Sequence, residues 1–327
     1  MKKISLLVFF LAELLQGFTI TAGEFEVQKY SSVYSFHDAK PKTVTVPITE
    51  VLQSQSKNSN GVTMWITPEW DEQWYDSKTI QNDIINRGYT PVFIFYYFAD
   101  NISVQYIHKK QADYFKFLKR FLKFLKKLDG KKIVILNPEY NENGVEYYKG
   151  MNDIFLKSFK ILRNDSQVLV GPCIGDFGNY KKVNEPNAWK IFNPSLKRAA
   201  KKADFIAFQE MRALTRNKSQ EILNTPKRAY NLAKYLYTTY HKPTMLAYLA
   251  VSSYGKNGDV LQAKVYKGFV KYLPKMQEDA SLTLFGTFHY FDYPDHKGYF
   301  KQAEEFFGVL TKDGAPKPSF KYYNMLQ

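Results

Sequence analysis

In the segment KKIVILNPEYNENG, Lys131 to Gly144, an apolar run ends in a carboxyl, Glu139, set between Pro138 and Tyr140. Leu136, Pro138 and Tyr140 offer that carboxyl a partly apolar niche, which disfavours the charged form and raises the pKa. A carboxyl that keeps its proton near neutral pH can deliver it to a leaving group. Glu142 and Glu146, further along the segment, have the surroundings of solvated loop or helix-start residues.

Similar junctions recur along the chain. TPEWDEQW carries Trp70, YYFADN carries Tyr97, GPCIGDFGNY carries Asp176, and FQEMR carries Gln209, Glu210 and Arg212. AYLAVSSYG adds Tyr248 and Tyr254, and HYFDYPDH adds His289 and Asp292. Aromatic faces cover the apolar faces of sugar rings, while carboxylates and amides bind hydroxyls. Gathered at one rim, with Asn137, such residues would line a sugar-binding cleft. Two carboxyl groups in that cleft are the minimum for glycoside hydrolysis.

Other chemistries find less support. Ser252 and Ser253 lack the small-residue elbow of a serine hydrolase, and no glycine-rich phosphate loop occurs. His289, Asp292, Asp295 and His296 have ligand-type side chains, but their spacing matches no zinc or calcium motif, so no metal or other cofactor is expected.

The elements that must position these residues alternate. Short apolar runs, Val62 to Ile66, Val92 to Phe98, Ile133 to Leu136, Val168 to Val170, Phe205 to Phe208, Met245 to Val251 and Leu282 to Phe288, are each followed by a longer amphipathic stretch. An eighth strand is expected at Ser32 to Phe36 or at Thr43 to Ile48. The clearest helix is ADYFKFLKRFLKFLKKLDG, with Tyr114, Phe117, Leu118, Phe121, Leu125 and Leu128 at helical spacing and Gly130 as its stop. Strands apolar throughout and separated by helices belong to a parallel sheet covered on both faces. Eight such units predict an α/β fold, a single-domain (β/α)8 TIM barrel, in which function sits where strands run into helices.

With this layout the chain resembles the clan A barrel glycoside hydrolases, in the Asn137-Pro138-Glu139 junction and in the tail GVLTKDGAPKPSFKYYNML. In that clan the acid/base glutamate follows an asparagine at the end of strand four and the nucleophile ends strand seven. The resemblance implies Glu139 as general acid/base. It puts Tyr248 about where the nucleophile would stand, so the expected second carboxylate becomes Glu210 at the end of strand six, with Asp176 and Asp292 behind it. Trp70, Tyr97, Asn137, Asp176, Gln209, Arg212, Tyr248, Tyr254, His289 and Asp292 are the expected substrate-binding residues. A catalytically inactive barrel that binds glycans is the alternative, suggested by Tyr248.

The chain starts with two lysines, an apolar block interrupted by Glu13, and small residues at Thr21 to Gly23, the layout of a secretory signal. The expectation is a leader over residues 1–23, a mature barrel over 24–327, and a secreted or periplasmic protein. Cys173 is the only cysteine, so no internal disulfide holds the fold. The formal charge is +15, and losing Lys2, Lys3 and Glu13 with the leader leaves +14. That excess draws the protein toward anionic polymers or surfaces. The expected partner is a polysaccharide or oligosaccharide, an anionic one by this charge; no nucleic acid partner is expected, no transmembrane segment, and the protein should be a monomer.

Overall fold

The computed structural model describes residues 18–24, 32–34, 43–45, 48–56, 58–70, 72, 76–178, 187–294 and 296–327. Eight parallel strands close a barrel: β1 (Thr19–Glu24), β2 (Gly61–Ile66), β3 (Thr90–Phe95), β4 (Lys132–Leu136), β5 (Val168–Asp176), β6 (Ile206–Arg212), β7 (Thr244–Val251) and β8 (Leu282–Thr287). Each pairs with the next, and β1 pairs with both β8 and β2 to complete the ring. The longer helices between strands are α1 (Ile48–Gln55), α2 (Val104–Leu125), α3 (Met151–Leu162), α4 (Asn193–Ala200), α5 (Thr225–Tyr240) and α6 (Gly258–Ala280). The chain is a (β/α)8 barrel.

Strand alternation divides the core in two. Val92, Ile94, Ile133, Ile135, Cys173, Ala207, Met245 and Leu284 pack together inside the ring. Their neighbours, among them Phe93, Phe95, Val134, Leu136, Phe208 and Leu246, pack outward against the helices. The strands read as continuously apolar because both faces are covered. In α2 the predicted positions Tyr114, Leu118, Phe121 and Leu125 are buried, and Ser103 caps the first turn by accepting from the Tyr106 amide at 3.1 Å.

The first strand is not where the sequence placed it. Ser32–Tyr34 and Thr43–Thr45 pair with each other as a separate antiparallel ribbon, and the barrel is closed by Thr19–Glu24 instead. The small residues there serve packing: Ala22 is fully buried, and a Cβ on Gly23 would lie 2.0 Å from the Phe288 carbonyl oxygen. The Gly23 amide donates to Thr287 Oγ1 at 3.0 Å. The leader expected over residues 1–23 lies outside the described residues as far as residue 17, whereas its last five residues belong to β1. A chain that starts at Phe18 is therefore expected to unfold cooperatively. One that starts at Glu24 should not, because its barrel would open at β2 and β8 with two unpaired edges. Thermal unfolding followed by circular dichroism checks this, and a cooperative transition in the shorter chain would refute it.

Candidate active site

Glu139 stands just beyond β4 in a turn, directly after Pro138, with a positive φ of 64°. That conformation is uncommon for a side-chain-bearing residue, and strain of this kind is held only where surroundings over-determine it. The surroundings are asparagines. The Gly175 amide donates to Asn141 Oδ1 at 2.6 Å while Asn141 Nδ2 donates back to the Gly175 carbonyl at 2.9 Å, stitching the turn to β5. Asn143 Nδ2 donates to the Ile102 carbonyl at 2.9 Å and ties it to the loop after β3. Glycine at 175 lets the turn come close, since a Cβ there would lie 3.1 Å from the Glu139 Cα and 3.0 Å from Gln209 Nε2.

Both carboxyl oxygens of Glu139 receive tyrosine hydroxyls. Tyr248 donates to Oε1 at 2.6 Å and Tyr96 to Oε2 at 3.3 Å; Tyr96 also reaches Asp100 Oδ1 at 2.7 Å. Tyr248 faces inward because the register between β6 and β7 slips: Phe208 lies opposite Leu246 but Gln209 opposite Tyr248, leaving Ala247 as an extra residue. Its ring is sealed by Trp65 at 5.2 Å and Phe288 at 5.3 Å, and it is fully buried. Burial, then the neighbouring Glu139, pushes the Tyr248 hydroxyl well above its usual range, so it stays a donor.

A cavity of about 190 Å³ opens over Glu139 at the ends of the strands. Trp65, Tyr96, Phe177, Met211 and Phe288 supply apolar and aromatic walls, while Glu69, Asp100, Glu304 and Lys297 supply carboxyl and ammonium groups and His296 an imidazole. Burial, opposed by the Tyr248 hydrogen bond and reinforced by Glu142, Asp100 and Glu304, pushes the Glu139 carboxyl up to about 8. It carries its proton at neutral pH. Glu304, in a 3-10 turn after β8 (Gln302–Phe306), is 4% exposed; it accepts from the Phe300 amide at 2.7 Å, and its other oxygen lies 3.3 Å from His296 Nε2. Burial raises its pKa too, with the Phe300 amide working against that and Asp100 adding to it.

The expected second carboxylate does not join them. Gln209 points into the ring, so Glu210 points out, where it is fully buried and bound to Arg212 at 2.6 Å. Asp176 is in the same cluster, 3.2 Å from Arg212 and 2.5 Å from Arg228. Burial alone would raise the Asp176 pKa, but the two guanidiniums outweigh it and hold the carboxyl below its usual range. Glu210, Arg212 and Asp176 thus clamp β5 and β6 against the helices and are removed from the cavity.

Several expected sugar contacts are also in the helix layer. Trp70 is 1% exposed, edge-on to Phe117, Phe121 and Phe124 beneath Arg120. Tyr97 packs on Phe98, Tyr114 and Phe117, and Asn137 donates to the Tyr114 hydroxyl at 3.2 Å. Asp292 binds Lys317 at 2.5 Å and the Gly308 amide at 3.0 Å, which anchors the C-terminal tail. His289 is buried against Phe288 and His296 behind the cavity. Tyr254 stands on Phe306 beside the turn that carries Glu304. Of the expected residues, Glu139, Tyr248 and Gln209 come together. Asp295, and Asp71 and Trp74 of the TPEWDEQW junction, fall outside the described residues. Trp65, absent from the expected residues, and Tyr96, which stands beside Tyr97 in YYFADN, share the inward parity of Thr63 and Ile94; Glu304 follows no strand pattern.

No protein-family model matches the chain, and no curated protein matches it. Among solved structures it is similar to a β-D-glucuronidase of Dictyoglomus thermophilum, with TM-score 0.60 and 11% identity over 94% of this chain and 50% of that one. The chain spans about half the length of that relative. A psychrophilic family 10 endo-β-1,4-xylanase aligns with TM-score 0.57 and 12% identity over 94% of this chain and 96% of its own. A family 17 β-1,3-glucanosyltransferase of Rhizomucor miehei aligns with TM-score 0.53 and 15% identity over 83% and 88%. The closed parallel barrel and these alignments give the chain a (β/α)8 fold, the fold it shares with these structures.

Proposed function

We propose that the protein is an exported glycoside hydrolase that holds one uncharged sugar unit of a polysaccharide or oligosaccharide in the cavity over Glu139. The observation that carries this reading is a proton-bearing carboxyl at the end of β4 sharing a small, aromatic-walled cavity with a second buried carboxyl, Glu304. Glu139 gives its proton to the glycosidic oxygen as the bond to the anomeric carbon breaks, the bonding electrons going to that oxygen. Water adds to the anomeric carbon and yields its proton to Glu304, whose charge also offsets the positive charge of the transition state. Phe300 N–H and His296 orient the Glu304 carboxyl. With the carboxyls of Glu69, Asp100 and Glu304 around it against the single ammonium of Lys297, the cavity is poorly suited to an anionic sugar. Export is compatible with the closed barrel when cleavage falls ahead of Thr19.

The mature protein should release new reducing ends from at least one member of a panel of neutral glycans. Glu304→Gln should lower that turnover by about 10²-fold or more with the fold retained. Turnover unchanged in folded Glu304→Gln protein would take Glu304 out of the reaction. A catalytically inactive glycan-binding barrel is the second reading, favoured by the sealed Tyr248 in the place where a nucleophile would stand. Binding of a glycan without new reducing ends would decide for it.

A further inference from the structure

Beside the single lysine of the cavity, Lys297, cationic side chains gather on the outer wall of the barrel, in two grooves on either side of α3. The first, of about 620 Å³, runs between α2 and α3 and is lined by Phe115, Lys116, Lys119, Arg120, Lys123 and Lys157. The second, of about 290 Å³, runs between α3 and α4 and carries Lys149, Lys197, Arg198 and Lys201. Neither groove is lined by an acidic side chain.

The arrangement in the first groove is electrostatically unrelieved. Lys116 with Lys119 and Arg120, and Lys123 with Lys119 and Arg120, are three or four residues apart on one helical face, where like charges destabilise a helix. Among the described residues Lys116, Lys119, Lys123 and Lys157 form no ion pair, whereas Lys110 and Lys127 on either side of them do. An anionic chain laid along the groove would relieve this repulsion, with a row of cations spanning about 10 Å from Lys116 to Lys123. The groove floor is Phe115, 8% exposed, with the Lys157 ammonium 4.0 Å over its ring.

We infer that these two grooves form a surface for an anionic polysaccharide, separate from the cavity, that holds the protein on a polyanionic glycan matrix. The chemistry favours a glycan over other polyanions. Lysine stems offer apolar surface to the CH faces of sugar rings while their ammonium groups meet carboxylates or sulfates. Nucleobases would find no open ring to stack on, because Phe115 is covered. A membrane would need apolar side chains to bury, and the exposed large hydrophobic residues among the described residues, Tyr147, Tyr237, Val260, Tyr299 and Met325, line neither groove. The inference stands independently of any reaction in the cavity.

The test measures binding of the whole mature protein to immobilised polygalacturonate and to neutral dextran at low and physiological salt. The native protein should bind polygalacturonate, more weakly as salt rises, and leave dextran unbound on this surface. Replacing Lys116, Lys119, Lys123 and Lys157 together by glutamine should weaken that binding by at least about tenfold. A control with Lys227, Lys264, Lys267 and Lys271 replaced by glutamine removes equal charge from α5 and α6 and should stay within about twofold of native. Thermal unfolding verifies that both variants fold; should the fourfold variant not fold, Lys119→Gln with Lys123→Gln takes its place, with a smaller loss in the same direction. Equal losses in both sets would overturn the inference in favour of net charge alone. So would absence of polygalacturonate binding, or tighter binding to duplex DNA or to phosphatidylserine vesicles under the same conditions.

Discussion

Glu139→Gln is expected to fold as the native chain does and to lose turnover by on the order of 10² to 10⁴-fold. The amide keeps the shape of the carboxyl and still accepts the Tyr248 hydroxyl, which lies 2.6 Å from Oε1 in the native site. What it cannot do is deliver a proton. In the native protein, burial is the first cause of a Glu139 pKa of about 8. The acid form is therefore the working form, and turnover should hold through neutral pH and fall above about 8. Stability carries the same signature. A carboxyl whose folded pKa lies above its unfolded value contributes stability that is complete below the unfolded pKa and is lost as pH rises through the folded one. The Glu139→Gln protein should accordingly gain on the native protein in melting temperature between pH 5 and 9, since the amide never ionises, with the pH window set by the unfolded value of 4.5 and the folded value of about 8. Near-native turnover in folded Glu139→Gln protein would sink the assignment, and a melting-temperature difference independent of pH would deny the buried proton.

Arg212→Met is expected to cost stability, about 3–5 kcal/mol, because it leaves Glu210 and Asp176 as buried carboxylates with one of their cations gone. Arg212, Asp176 and Glu210 are all fully buried, so water cannot replace the lost guanidinium. Arg228 still reaches Asp176 and keeps one guanidinium beside it. Urea unfolding measures the loss. The companion variant Glu210→Gln separates clamp from catalysis: it should lose stability while the folded fraction keeps native turnover. The opposite pattern, native stability with turnover lost as severely as in Glu139→Gln, would return Glu210 to the reaction and refute its outward placement.

Seven of the eight strands were legible because a barrel strand buried on both faces must be apolar at nearly every position, and short apolar runs between amphipathic helices have few other uses. The same uniformity hid the phase. In a strand with one wet face, polar residues mark which side chains point out; here nothing in FIFYYF or IAFQEMR marks it, so the sequence points to Tyr97 where Tyr96 faces the ring, and to Glu210 as the second carboxylate where Gln209 faces it. Once one inward residue per strand is known, alternation assigns the rest, and Trp65 and Tyr96 follow. Tyr248 escapes even that rule, because a slipped register turns it inward.

What the sequence by itself determined is the architecture and the position of Glu139: strand order follows chain order in a (β/α)8 barrel, so the fourth strand end was identifiable by counting. The first strand was obscured because TITAGE is short and small, features demanded by close packing against β8 and shared with a leader's tail. Only the tertiary structure decided which groups meet Glu139. Glu304 comes from a turn far along the chain, and Tyr248 from a bulge. Their approach depends on ring closure and on side-chain direction, which are properties of three-dimensional packing that local residue patterns do not encode.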